Sequence, residues 1–349
     1  MLAMKKKGWE VIAVSPYDES AEKILAQGIR FQNIPLSRKG KNPFADLKII
    51  FHLTRLYQKE KPNIVHHFTI KPVIYGTAAA RLARISGIVN LIPGLGYVFL
   101  KGGTLQHLVK KMYRFVLSPR VQMIFQNQDD LDFFHQNKLV DLQQTHIICG
   151  SGINTEDYSI ENFSIPSPSS HITFLLAARM LWDKGIAEFV AAANIVKEKN
   201  PAAHFILLGS PDDGNPAAVP TSWLEEQLSQ DHIEWIRHRE DVRPFLVKAD
   251  VVVLPSYREG ASRALMEAAA MSKPIITTDV PGCRDIVENR QNGILVQPNN
   301  VDSLVQAMME LAADPQKRTG MGLAGREKAL QSFSETTIIQ QTLKVYLLL

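Results

Sequence analysis

The sequence predicts an α/β chain of two domains, each built on a parallel sheet. Short apolar runs recur along all 349 residues, and most are followed by a helical pattern. Strands divided regularly by helices favour parallel pairing, because parallel neighbours need a crossover. The length fits two cores of about 150–200 residues better than one. A Pro/Ser-rich stretch without periodicity, Asn162 to Ser170, separates the two series. We therefore expect one domain over 1–155, a linker over 156–170, a second domain over 171–330, and a C-terminal helix over 331–349 that packs back on the first domain.

Trp9 to Val14 reads as a strand, Glu19 to Gln27 as a short helix and Asp46 to Glu60 as a longer amphipathic one. Lys61 to Phe68 is a Pro-bounded strand running into a loop, followed by an Ala-rich helix from Val73 to Ile85. Val89 to Ile92 is a strand ending in Pro93-Gly94-Leu95-Gly96-Tyr97. Ligands of open parallel sheets bind beyond the carboxyl ends of the strands. That rule places His66, His67, Lys71 and the Gly94–Tyr97 loop on the functional rim. Leu105 to Leu117 carries an apolar stripe at 105, 108, 109, 112 and 116, with Lys110, Lys111 and Arg114 off it. Such a helix suits a membrane surface or the flank of the sheet, and both readings stand. Val121 to Phe125 is a strand; Asp130-x-Asp132 after it fits either a metal pair or a capped helical first turn, and capping is preferred.

In the second half, strands are expected at Ile172–Ala177, His204–Leu208, Ile233–Ile236, Asp250–Leu254 and Pro274–Thr278. Helices follow at Asp302–Ala313 and Pro315–Leu330, and the tail Thr336–Leu349 reads as one more. Arg179 and Lys184 emerge after the first of these strands, Gly209 and Ser210 after the second, and Glu259 after the fourth. Two cations near a helix start make a clamp for a diphosphate.

The segment Arg258-Glu259-Gly260-Ala261-Ser262-Arg263-Ala264-Leu265-Met266-Glu267 lies between a buried strand and an Ala-rich helix. A helix beginning near Ser262 leaves its first N–H groups free for an anion, and Gly260 permits close approach. On one helix the two glutamates would lie about 12 Å apart. A glycosidase pair needs about 5–9.5 Å, so the two carboxylates have different tasks. Glu267 suits the two hydroxyls of a ribose.

Composition narrows the setting. No run approaches 18 uncharged apolar residues, and the first residues lack the apolar core of a signal peptide. Two cysteines, Cys149 and Cys283, form no disulfide framework, which favours a reduced cytoplasmic setting. The formal charge is +4, with bases in excess in the first half and acids in the second. A basic half suits an anionic surface. No zinc-finger or RRM signature supports nucleic acid; an anionic membrane face is the other candidate, and simple solubility is a further reading of the same charge.

Arg179 with Lys184-Gly185, Glu259-x₇-Glu267 with Gly260, Lys273-Pro274 and Gly293-Ile-Leu-Val occur in the order found in group 1 glycosyltransferases of family 4. Residues 176–296 resemble their donor domain. His66-His67 with Lys71, Gly94-Leu95-Gly96-Tyr97 and Phe125-Gln126-Asn127 resemble, more loosely, bacterial members that extend undecaprenyl-diphosphate-linked glycans, such as N-acetylgalactosaminyltransferases. The resemblance implies the GT-B fold, two Rossmann-like domains facing across a cleft. It implies retaining, metal-independent transfer of a hexose or N-acetylhexosamine from a UDP-sugar to a lipid-linked saccharide, at the inner face of the cell membrane and without a cofactor. By the same resemblance Glu259, Arg179, Lys184, His66 and His67 are catalytic candidates. Gly209, Ser210, Gly260, Ala261, Ser262, Arg263 and Glu267 bind the donor; Lys71, Gly94, Gly96 and Tyr97 belong to the acceptor side.

Three departures accompany the resemblance. The first strand and its glycine-rich loop are absent, so a central sheet position should be empty and its neighbours should show open edges. Phe68 stands where a second histidine of a His-x-His pair is common, and Arg237 where glycine is common. A nucleotide-sugar 2-epimerase and a fragment that only binds donor are the alternative readings.

Overall fold

The computed structural model describes residues 1–36, 43–95, 99, 103–118, 120–164, 171–212, 214–227 and 232–349. The chain forms two compact units. The first contains Met1–Ile124, Asp132–His146 and Gln341–Leu349; the second contains Phe125–Leu131 and Ile147–Gln340. Residues 125–131 and 147–155 thus fold with the second unit rather than the first. Of the expected linker, residues 165–170 lie outside the described residues.

The first unit opens with α1 (Leu2–Lys6), β1 (Ile12–Ser15), α2 (Glu19–Ala26) and β2 (Arg30–Asn33). The Asp18 side chain accepts from Ser20 N at 2.9 Å and so caps α2. Next come α3 (Pro43–Glu60), β3 (Ile64–Phe68), α4 (Ile70–Leu82), β4 (Gly87–Ile92), α5 (Thr104–Val116), β5 (Val121–Phe125), α6 (Gln128–Gln136) and β6 (Thr145–Ile147). Strands β1 and β2 pair in parallel as a separate two-stranded sheet, while β3, β4, β5 and β6 form another in that order. Among the described residues no ladder joins β1 to β3, so the parallel series is interrupted there. Every position of β1 is only partly buried, as suits a strand with an open edge.

The second unit holds β7 (Ile172–Ala177), α7 (Ile186–Lys199), β8 (Ala203–Leu208), α8 (Thr221–Gln227), β9 (Ile233–Ile236), α9 (Arg243–Lys248), β10 (Val251–Leu254), α10 (Arg263–Ala270), β11 (Ile275–Thr278), β12 (Gly293–Val296), α11 (Val301–Ala313) and α12 (Pro315–Lys328). The last helix, α13 (Glu335–Tyr346), spans the boundary of the two units. The six strands form one sheet in the order β12-β11-β10-β7-β8-β9, and every pair is parallel. All four residues of β10 are buried, the signature of a parallel strand covered on both faces. Phe174 of β7 stacks on Phe205 of β8 at 5.4 Å and anchors the centre. The chain winds outward from β7 to β9 and returns to β10, which pairs with the other edge of β7. That reversal opens a crevice beyond the carboxyl ends of β7 and β10.

Four elements escaped the sequence reading. In β2 only Phe31 is partly buried between exposed polar residues, and β12 begins at a glycine. The short helices α8 and α9 bury one residue each, Leu224 and Leu246, too little to set a helical period.

Candidate active site

The crevice is assembled from the two central strands. After β7 the chain makes a short turn, Trp182–Lys184, and reaches Gly185 at φ +74°. A Cβ at Gly185 would lie 2.2 Å from the Pro255 carbonyl oxygen, so only glycine lets this turn reach the end of β10. Lys184 Nζ then donates to Glu259 Oε1 at 2.5 Å, with side chains only 16% and 12% exposed. Ser256 Oγ donates to the same oxygen at 2.9 Å. Glu259 N donates to Pro281 O at 3.0 Å. Gly282, at φ +77°, passes so close that a Cβ there would sit 2.5 Å from the Glu259 carbonyl. The Glu259–Gly260 loop is therefore fixed by side chain and backbone together.

Ser262, buried and extended, is the N-cap residue of α10, but its side chain does not cap the helix. The first-turn N–H groups of α10 thus retain their attraction for an anion. Glu267 lies on α10 and is buried. Its Oε1 accepts from Tyr158 Oη at 3.0 Å and from Arg263 Nε at 2.8 Å. Burial, and then the Glu267 carboxylate, push the Tyr158 phenol up to about 12, so it remains a donor.

Gly209, just past β8, has φ +146°, and a Cβ there would meet Ala178 O at 1.9 Å. Its carbonyl accepts from Trp235 Nε1 at 2.8 Å, and Ser210 Oγ accepts from His238 N at 3.0 Å. The Arg237 guanidinium stacks on Trp235 at 4.9 Å. Ala261 is partly buried against the core. The second unit thus brings Lys184, Gly209, Ser210 and the Glu259–Glu267 segment to one end of its sheet. The expected diphosphate cations are engaged with different acids: Lys184 with Glu259, and Arg179 with Asp212 at 2.7 Å. Arg179 remains 63% exposed.

In the first unit the two histidines lie in β3, close to its carboxyl end at Phe68. His67 is buried; its Nδ1 faces Asn90 Oδ1 at 2.8 Å and its Nε2 faces the Tyr57 hydroxyl at 3.0 Å. With the proton on Nδ1, Nε2 accepts from Tyr57 and both ring nitrogens are satisfied. A Cβ at Gly76 would lie 2.4 Å from the His67 ring, which shows how tightly the ring is enclosed. Burial lowers His67 to about 4, against an opposing contribution from Asn90. His67, expected on the rim, is an interior hydrogen-bonded residue. His66 Nδ1 lies 2.7 Å from Tyr346 Oη, and its ring stacks on Phe68 at 4.2 Å. Its Nε2 is buried without a partner among the described residues. Burial lowers His66 to about 3, so it too is neutral near pH 7.

Lys71 at the start of α4 lies 3.5 Å from Asp46 Oδ1, and Tyr75 donates to Asp46 Oδ2 at 2.7 Å. Gly94 follows β4 with φ +153°. Gly96 and Tyr97 lie outside the described residues. Among the described residues no group of three or more His, Cys, Asp or Glu is placed to hold a metal ion.

Residues 157–328 match the family described as glycosyl transferases group 1, and residues 1–128 match the family described as glycosyl transferase 4-like. The chain belongs to the group 1 glycosyltransferases. It is 28% identical over 359 residues to the N,N'-diacetylbacillosaminyl-diphospho-undecaprenol alpha-1,3-N-acetylgalactosaminyltransferase of Campylobacter jejuni, covering 99% of this chain and 92% of that protein. Its structure resembles a glycosyltransferase from Rickettsia africae, with a TM-score of 0.84 at 19% identity, covering 99% and 91% of the two chains. It also resembles Anabaena HepE in complex with UDP-glucose, with a TM-score of 0.80 at 18% identity, covering 97% and 92%. The fold is GT-B, with a Rossmann-like sheet in each unit.

Two residues of this glycosyltransferase site, Tyr158 and Ser256, carry no motif in the sequence. Tyr158 reaches Glu267 across a separation of 109 residues, and nothing local marks it. Ser256 stands three residues before Glu259 in the same loop, a spacing short enough for its hydroxyl to reach the carboxylate.

Proposed function

We propose that this glycosyltransferase moves a hexose or N-acetylhexosamine from a UDP-sugar to a lipid-linked saccharide of the undecaprenyl-diphosphate type, with retention and without a metal ion. The carrying observation is the grouping of Lys184, Glu259, the α10 N-terminus and Glu267 at the carboxyl end of β7 and β10. Glu267, oriented by Tyr158 and Arg263, is suited to accept from the ribose hydroxyls. The first-turn N–H groups of α10, with Lys184 and Arg179, would face the diphosphate. As the bond from the anomeric carbon to the β-phosphate oxygen breaks, negative charge grows on the diphosphate. Fixed donors and cations there lower the barrier without reorganising. UDP-glucose in HepE supports the donor class, and the lipid-linked substrate named for the C. jejuni relative supports the acceptor.

The acceptor class also fits the surface of the first unit. Helix α5 buries Val109, Tyr113 and Val116 and turns Leu108 (54% exposed) and Phe115 (80% exposed) outward, beside exposed Lys111 and Arg114. Only part of the expected stripe faces inward. An outward apolar pair flanked by cations suits an anionic bilayer, each cation contributing about 1 kcal/mol. No helix among the described residues is long and apolar enough to cross a membrane, so contact would be peripheral.

The direct test supplies UDP-sugars with an undecaprenyl-diphosphate-linked sugar and follows UDP release and the anomeric configuration of the product. Acceptor-dependent release, insensitive to chelator and yielding the donor's anomer, is expected. Turnover of UDP-sugar without acceptor would instead indicate epimerisation, and loss of activity with chelator would contradict the metal-free reading.

A further inference from the structure

The segment Asn127–Asp130 contains the first acid of the Asp130-x-Asp132 pair, read above as capping or metal-binding, and it does something else as well. Asn127 Oδ1 accepts from Asp130 N at 2.8 Å and closes the first turn of α6, as capping requires. The side-chain amide of the same Asn127 donates to Gly260 O at 2.8 Å and to Asp130 Oδ2 at 3.1 Å. Asp130 is fully buried and ion-paired with Arg258, the residue just before Glu259. Beside it, Asp129 receives Arg284 Nη1 at 3.1 Å on both carboxylate oxygens. Arg284 in turn donates to Asp279 Oδ1 at 2.7 Å. One four-residue turn therefore holds the Glu259–Gly260 loop by its preceding side chain and by its glycine carbonyl.

These ties differ from those described for the site. Lys184, Ser256 and Pro281 fix Glu259 itself, and none of them reaches Arg258 or the Gly260 carbonyl. Without Asn127 and Asp130, the peptide on the far side of Glu259 would lose a backbone acceptor contact and a buried charge-assisted anchor. Asn127 and Asp130 are both buried, so solvent cannot replace either contact.

We propose that Asn127 and Asp130 are positioning residues for donor turnover, acting through Arg258 and Gly260 to hold the Glu259–Gly260 loop against the transferred sugar. This rests on the reading of that loop as the donor-sugar site. It separates two parts of donor recognition. UDP is held by groups the turn does not touch, including Glu267, whereas alignment of the sugar depends on the turn.

The test uses the full chain, with UDP binding measured by calorimetry and turnover by UDP release from UDP-N-acetylgalactosamine, UDP-galactose and UDP-glucose. Asp130→Asn and Asn127→Ala should keep UDP affinity within about twofold while kcat for the best donor falls by about tenfold to a hundredfold, the cost expected of a small misalignment. The double variant Asp130→Asn/Arg258→Gln should be no slower than the worse of its two single variants, since both remove the same anchor. Should Asp130→Asn fail to fold, Asn127→Ala alone reads the same split between UDP binding and turnover. Unchanged turnover in a folded variant, or UDP affinity falling in step with turnover, would overturn the positioning role. A wild-type chain that binds no UDP would instead remove the donor-site reading on which it rests.

Discussion

The two histidines of β3 and the two glutamates of the Glu259–Glu267 segment stand in opposite relation to their surroundings. His66 and His67 sit inside a strand, their charged forms disfavoured by burial, and His67 has both ring nitrogens satisfied by Asn90 and Tyr57. Glu259 and Glu267 sit at the end of a sheet and beyond it, each held by donors from separate parts of the chain. His67 and both glutamates satisfy their hydrogen bonds, whereas His66 Nε2 is left without a partner among the described residues. Only the glutamates do so where β7 and β10 leave a crevice, beside free helix N–H groups. Position relative to the strand ends, more than residue type, separates an interior network from a site able to meet a ligand.

That contrast can be broken most sharply at Lys184. Lys184→Ala removes the cation nearest Glu259, and sugar transfer should slow by about 10²–10³-fold, as for other fixed transition-state donors; steady-state kinetics reads it. Glu267→Ala should weaken UDP binding by about tenfold to a hundredfold, since hydrogen bonds to a charged group contribute about 1.5–3 kcal/mol; calorimetry reads it, with Tyr158→Phe expected to give a smaller loss. Gly185→Ala forces a side chain onto the Pro255 carbonyl at positive φ, and should destabilise the chain by about 1–3 kcal/mol in denaturant unfolding.

The histidine side of the comparison is read by pH. Unfolded histidine titrates near 6.5, whereas folded His66 and His67 stay neutral down to about 3 and about 4. Below pH 6.5 the unfolded chain takes up protons that the folded chain refuses, so stability should decline from pH 7 toward pH 4. Replacing His67 with Gln should flatten part of that decline in a series of unfolding curves. A transfer-rate profile with an inflection that disappears in the His67→Gln variant would contradict the interior assignment.

Much of the second unit was legible because its signals are local. A continuous apolar run gives a buried strand, and the Glu259–Glu267 segment reads directly as loop and helix start, with Ser262 as the N-cap and α10 beginning at Arg263. The first unit was less legible. In β3 the burial alternates, which sends His67 inward, and periodicity alone could not say which of two adjacent histidines faces the core. Asp130 reads locally as a capping residue, yet its main partner, Arg258, lies 128 residues away. The fold of residues 125–131 with the second unit has the same origin: Asn127, Asp129 and Asp130 all find partners there.

The central claim is that the donor nucleotide binds at the carboxyl end of the second unit's sheet. UDP calorimetry on the wild-type chain and on Lys184→Ala, Glu267→Ala and Lys71→Ala tests it most directly. The account predicts saturable binding that is weakened in Lys184→Ala and Glu267→Ala and kept in Lys71→Ala, whose lysine pairs with Asp46 in the first unit. UDP binding that survives both second-unit substitutions, or that is lost with Lys71, would contradict it.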